Sequence, residues 1–517
     1  MPSSRTLVLS HIRTMERPGA LADWMVVEHG VVASTGRGPA PDAVREGASL
    51  LDLSGRAVVP ALHDTHVHLL GTGQMEIDLD LGAVSSFAEA LDLVADAARG
   101  FDGSVLRAHS FDPDLMADGR YPTRDDLDAV SSALPIHVRR RDGHSSAANG
   151  AALSLFGTRP GDAGAEVDAE GRLTGVLRGK AHSDAAARAA DLLSPEERAE
   201  CCRRAAARAV SRGVGAVHAL VGREEDAACR DAEVLLGVMP ELPIDVVVFV
   251  QTTDVDRVAA LGLPRIGGCI LLDGSFGSRT AALTEPYADA PGDGELYRSD
   301  DELTGFFRAA HARGLQIAVH AIGDRAIGQA VACYRAACGG EGAGARHRIE
   351  HCEIPSPAHV AAMSRLGLAS GVQPAFELYW GGPGGMYEAR LGRRRASRTN
   401  PFRTMLESGV AIAGGSDSYV TPMDPLLGVH AAVNRAAPDE RLSVHDALSL
   451  FTSRAAWISF DEHRRGTLEP GKEASFTVLG ADPFTADPAT IRDIPVEGLF
   501  VRGRSVSGPT GSGARGV

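Results

Sequence analysis

The sequence predicts an α/β protein: a (β/α)8 TIM-type barrel, a composite β-sandwich domain formed from both chain ends, and an insertion capping the barrel mouth. Three observations carry this expectation. Apolar, β-type runs alternate with helical stretches through the middle of the chain. Short strands punctuated by Gly and Pro occupy both ends. The first central run closes near residue 68 and the second opens near residue 213, a gap far longer than an ordinary βα connection.

The elements follow in order. Residues 1–58 read as strands and turns ("TLVLSHI", "WMVVEHGVVASTG", "LLDLSGRAVVP"), the N-terminal part of the sandwich. The barrel is expected over 59–458 from eight runs: "AVVPALHDTHVH", "GVGAVHALV", "IDVVVFVQ", "GGCILLDGS", "LQIAVHAIGD", "HRIEHCE", "LASGVQPAF" and "GVAIAGGSD". Within it, 71–200 has strands of its own, "SVLRAHSFD" and "PIHVRRRDGH", and is read as the cap. Residues 459–507, with "GTLEPGKEASFTVLG" and "PVEGLFVRGRSV", complete the sandwich, and the Gly- and Ser-rich tail 508–517 is expected to be disordered.

Composition narrows the function classes. A chain of 517 residues, 44% hydrophobic and 23% charged, is ordinary for a globular enzyme with more than one core. Its formal net charge of -15 would repel a phosphate backbone, so nucleic acid is not an expected partner and a small-molecule substrate is. Seven scattered cysteines without a CxxC pair fit a reducing cytoplasm better than a disulfide framework. No run of about 18 apolar residues is present, and neither a membrane span nor a signal peptide is expected.

Chemistry concentrates at the ends of the apolar runs, where a barrel collects its functional side chains. Residues i and i+2 of a strand share a face, so His66 and His68 of "HDTHVH" point the same way. Later runs close on His320, His351 and Asp417. Such a nitrogen and oxygen set suits a divalent cation, zinc foremost, as one or two ions. Asp417 is then placed to take a proton from water, and hydrolysis of a C–N bond follows. Each residue also has a plainer reading: structural histidines, and for Asp417 a helix cap.

The motifs HxH, "AVHAIGDRAI", "RIEHCE", "GGSDS" and "LLDGSFGSRTAALTEPYAD" resemble the amidohydrolase superfamily, specifically the N-substituted formamide deformylase-like branch of amidohydrolase family 3. The resemblance spans nearly the whole chain. It implies that His66 and His68 bind one ion, that His320 and His351 serve a second or shared position, and that Asp417 is ligand and proton shuttle. It also places Arg141, Asp142 and His144, in the family's "RxDGH" stretch, near the substrate; a solvated turn is the alternative. Arg279 of "FGSRTAAL" either binds a substrate carboxylate or braces its loop. Barrels of this kind often pair, so a homodimer is one of the oligomeric states the sequence leaves open.

The chain departs from that pattern at three positions. Cys269 stands where the family carries a bridging Lys, Gly179 where it has Glu, and Ala219, after His218, where it has Asp. A thiolate is a good zinc ligand and can bridge, but cysteine is also a common inert core residue. Lys180 and His182, beside Gly179, read as a helix start. The departures leave open a nonhydrolytic enzyme (isomerase, cyclase or decarboxylase) or a mononuclear deaminase beside the leading reading, a metal-dependent amidohydrolase. The basic, Gly-rich stretch "GGPGGMYEARLGRRRASRTNP" reads as a lid or as a solvated face, and Tyr379 and Trp380 as pocket lining or core.

Overall fold

The computed structural model describes residues 5–113, 116, 120–141, 145–223, 229–339 and 344–508. The tail from 509 onward, with Asp142 and His144, lies outside the described residues. Two compact units form: one from the described residues up to Leu69 together with those from Ala205 onward, the other from Leu70–Arg204.

All eight apolar runs form strands of one parallel sheet: Leu62–Val67, Val214–Val221, Asp245–Val250, Arg265–Leu271, Gln316–Ala321, Arg348–His351, Ala369–Val372 and Ala411–Gly414. They neighbour one another in chain order. Most of their residues are buried on both faces, which is why the runs are continuously apolar rather than alternating. The eighth strand meets the first just beyond its end: the Asp417 amide donates to the His66 carbonyl (2.9 Å) and the His68 amide to the Ser418 carbonyl (2.9 Å). Asp64 Oδ1 adds a third closing bond, accepting from the Ser416 amide at 2.9 Å.

The helices between strands carry explicit start and stop signals. Helix Asp300–Ala312 begins on a capping box in which Ser299 and Glu302 exchange side-chain and backbone bonds. Its apolar face buries Leu303, Phe306, Phe307 and Ala310, and Phe307 stacks on Tyr334 of helix Asp324–Cys338 at 4.1 Å between centroids. Helix Pro357–Leu366 has Pro at its first position, Ser356 as cap, and Gly367 in the left-handed conformation as terminator.

In the same unit, both chain ends join one seven-stranded sheet. Its order is Arg504–Ser507, Val496–Val501, Phe476–Leu479, Ser49–Pro60, Arg5–Arg13, Leu21–Glu28 and Val31–Gly36. One face buries Ile12, Met25, Leu53, Val58 and the stacked pair Phe476 and Phe500.

The second unit holds a six-stranded sheet that includes Leu106–Phe111 and Ile136–Arg140. Phe87, Leu106, Phe111, Leu127 and Ile136 form its core. A buried pair, Arg107 Nε to Asp78 Oδ1 at 2.9 Å, lies within it.

Candidate metal centre

Six side chains from five barrel strands converge at the C-terminal ends of those strands. His66 and His68 come from the first strand and the residue just after it, Cys269 from the fourth, His320 from the fifth, His351 from the sixth, and Asp417 from the turn after the eighth. Their ligand atoms form three triads, His66–His68–Cys269, Cys269–His320–His351 and His66–His351–Asp417, each with its atoms within 4.8 Å of one another. Cys269 belongs to two of them. Asp417 Oδ1 lies 3.2 Å from both His66 Nε2 and His68 Nε2, and Cys269 Sγ lies 3.7 Å from His320 Nδ1.

Local backbone conformation aims these groups. Gly267 and Gly268, just before Cys269, both have positive φ (90° and 98°), and a Cβ on Gly267 would lie 2.1 Å from the Ala318 carbonyl oxygen. Only glycine permits that close kink, and the register between the fourth and fifth strands shifts there. His351 and Asp417 are themselves left-handed, at φ 68° and 55°. Such a conformation costs a non-glycine residue about 1–3 kcal/mol and persists where the surroundings enforce it. Around His351 the Cys352 amide donates to both the Ala321 carbonyl (3.0 Å) and the Glu350 carbonyl (2.9 Å), the latter closing a tight turn over His351.

Each ring is oriented from behind. His66 Nδ1 lies 2.7 Å from Glu350 Oε2, and His351 Nδ1 lies 2.8 Å from Gln373 Oε1. His320 Nε2 donates to the Gly274 carbonyl at 3.1 Å, which leaves Nδ1 facing the thiol. His66 Nε2, His351 Nε2 and Asp417 Oδ1 are buried and make no hydrogen bond of proper geometry. Buried polar atoms without partners are rare unless a ligand completes them. A donor set of imidazole, thiolate and carboxylate fits a zinc-type cation.

The electrostatics agree. Burial penalises every charge in the cluster, yet mutual pairing outweighs it for most members. The His66 and His68 charges hold the Asp417 carboxyl well below its usual range. The surrounding imidazoles hold the Cys269 thiol well below its usual range. Pairing with Asp417 and Cys269 raises His68 to about 10, and Cys269 and Asp273 raise His320 to about 9. His351 goes the other way, lowered by burial and by the neighbouring His320 charge. Without a cation, protons on His68 and His320 balance the Asp417 and Cys269 anions; a bound divalent cation would displace those protons and supply the positive charge in their place.

The profile of the Amidohydrolase family matches residues 49–507. This chain belongs to the amidohydrolase family. It is 29% identical to the putative amidohydrolase YtcJ of Bacillus subtilis, over 96% of this chain and 98% of that protein. It is 26% identical to an N-substituted formamide deformylase of Arthrobacter pascens, over 96% and 97% of the two chains. Among solved structures, an uncharacterized metal-dependent hydrolase from Pyrococcus furiosus superposes with a TM-score of 0.80 at 28% identity, over 93% of this chain and all of that one.

Other residues singled out in the sequence of this amidohydrolase have different settings. Arg279 (φ 60°) makes two bonds to Asp289, at 3.1 and 2.9 Å, which Arg390 also engages. Arg394 pairs with Glu285, and Arg395 donates to the Glu285 and Pro286 carbonyls. The basic stretch after the seventh strand is thus tied to the loop after the fourth. In the second unit, Arg141 donates to the Gly82 carbonyl at 2.9 Å, Lys180 pairs with Asp184 at the start of an exposed helix, and His182 is buried against Ser146. Asp417 caps no helix: the next one, Pro425–Val433, is capped by Asp424. Trp380 packs on Phe376, which stacks on the His351 ring, whereas Tyr379 is half exposed. Glu350, Gln373 and Asp273, which brace the ligands, were not apparent as site residues in the sequence.

Proposed function

We propose that this protein is a metal-dependent hydrolase of small organic amides, formamides or related non-peptide C–N bonds, with zinc held by His66, His68, Cys269, His320, His351 and Asp417. The observation that carries the reading is the position of Cys269, common to two ligand triads, beside three buried polar atoms that make no hydrogen bond of proper geometry. The bond class is further supported by the relative named an N-substituted formamide deformylase. When bound, the cation supplies a Lewis acid for the scissile carbonyl and lowers the pKa of water toward neutrality.

The chain's own residues do the rest. The Asp417 carboxylate, ionised in its buried setting, accepts the proton of the attacking water and returns it to the leaving nitrogen. The Cys269 thiolate would be a ligand to that cation, within reach of the His66–His68 and His320–His351 pairs alike. His351, oriented by Gln373 through Nδ1, has Nε2 free of a hydrogen bond and would offer it to the cation.

Metal analysis of the purified, folded protein tests this directly. One or two equivalents of zinc, manganese or iron are expected; protein that takes up none of them would sink the reading. Asp417→Asn should lower kcat on an N-substituted formamide by about 10²–10⁴-fold. Turnover in ¹⁸O-labelled water should place the label in the acid product, an outcome that an isomerase or decarboxylase would not give.

A further inference from the structure

We infer that Glu350 and Arg348 are positioning residues for the metal centre, fixing the tautomer and orientation of His66 through a charge pair buried inside the barrel. This rests on the metal reading above and adds to it the means by which the first ligand is held. Glu350 and His66 side chains are both 0% exposed, and Glu350 Oε2 accepts from His66 Nδ1 at 2.7 Å. With the proton on Nδ1, the lone pair of Nε2 faces Asp417 and Cys269.

Arg348 prevents Glu350 from moving. Its Nε donates to Glu350 Oε1 at 2.6 Å and its Nη2 to Oε2 at 2.8 Å, a bidentate fork. The same guanidinium reaches three other strands: the Thr65 carbonyl on the first (2.8 Å), His218 Nδ1 on the second (3.0 Å), and the Phe249 ring on the third (4.8 Å to its centre). The seventh strand leaves room through Gly371, where a Cβ would lie 2.3 Å from Glu350 Oε2 and 2.7 Å from Arg348 Nη2.

A buried ion pair by itself brings little stability, because both charges lose their hydration. Well-packed apolar residues would fill this space at least as favourably. What they could not supply is an acceptor for His66 Nδ1, and that is the specific contribution of the pair. Regular strand alternation would send Glu350 and His351 to opposite faces. The left-handed backbone at His351 lets adjacent residues serve one centre, Glu350 behind His66 and His351 in front.

The test compares wild type with Glu350→Gln, which keeps an acceptor oxygen, and with the double variant Arg348→Met/Glu350→Leu, which removes the buried charges together and leaves His66 Nδ1 without its acceptor. Zinc affinity is read by competition with a chromophoric chelator, and ligand geometry by the visible spectrum of the cobalt(II)-substituted protein. A folded double variant should bind zinc about 10–100-fold more weakly, with an altered cobalt spectrum. Unchanged affinity and spectrum in that folded variant would overturn the inference. Should neither variant fold, ¹⁵N-histidine NMR of the wild type decides: His66 must carry its proton on Nδ1 and show a zinc-induced shift at Nε2, and the reverse assignment overturns it. A wild type that takes up no zinc overturns the metal reading itself, a result separate from either of these.

Discussion

At the scale of single residues, Cys269 occupies the most informative position, because its sulfur is shared by two of the three ligand triads at the centre. Cys269→Ser keeps the size of the side chain and loses the soft ligand. The variant should keep its melting temperature within a few degrees, hold at least tenfold less of a second zinc equivalent, and lose the sulfur-to-cobalt charge-transfer band. A wild-type spectrum without that band would remove Cys269 from the ligand set. A fourth potential ligand group among the described residues, His311, Cys338 and His347, stands at the opposite ends of the strands. The Ile317 amide donates to His347 Nδ1 at 3.0 Å, so Nε2 carries the proton and donates to His311 Nδ1, also at 3.0 Å. That tautomer has no lone pair left for a metal. Five ligand candidates were legible in the sequence because each is a ligand-type residue closing an apolar run. Glu350 was not, since its partner His66 lies 284 positions away and nothing local signals a buried acid in need of an imidazole.

At the scale of elements, the loops matter more than the strands. The eight strands were legible from their apolar runs. The loop after the fourth strand was not, because its organising group is one buried carboxylate. Asp273 accepts the amides of Ala282 (2.8 Å), Ile322 (3.0 Å) and Gly323 (2.8 Å), which joins this loop to the turn after the fifth strand, just beyond His320. Asp273→Ala would orphan three amide donors at about 1–3 kcal/mol each. The unfolding free energy measured in urea should therefore fall by about 3 kcal/mol or more; a loss below about 1 kcal/mol would mean that water replaces the carboxylate. The arginine-rich stretch after the seventh strand was ambiguous in sequence, since charge alone does not tell a lid from a solvated face. Its acidic partners Glu285 and Asp289 lie more than a hundred positions earlier in the chain.

At the scale of the whole molecule, buried titrating groups make folding depend on pH. Burial, with the nearby His311 charge, pushes His347 down to about 3, and burial, with the Arg465 charge, does the same to His63. Unfolded histidine titrates near 6.5. Between about pH 6.5 and 3 the unfolded chain therefore binds protons that the folded one refuses. Each of these histidines contributes stability that is complete above pH 6.5 and is lost on acidification, by about 1.4 kcal/mol per pH unit. His347→Gln keeps an acceptor for the Ile317 amide and does not titrate. Its stability should fall less steeply than that of wild type by about 1.4 kcal/mol per pH unit between pH 6 and 4, as measured by denaturant titration; equal slopes would contradict the neutral buried state. The barrel seam has a consequence for how the protein is made. The closing contacts run through the ligands themselves, and Asp64 and Ser416, which they flank, are 352 positions apart. A chain still emerging from the ribosome holds His66 and His68 long before it holds Asp417, so the ligand set is completed only when the last strand docks. On the proposed metal reading, capture of the cation would wait for the end of synthesis, and a truncated or misfolded chain would offer it only part of a site.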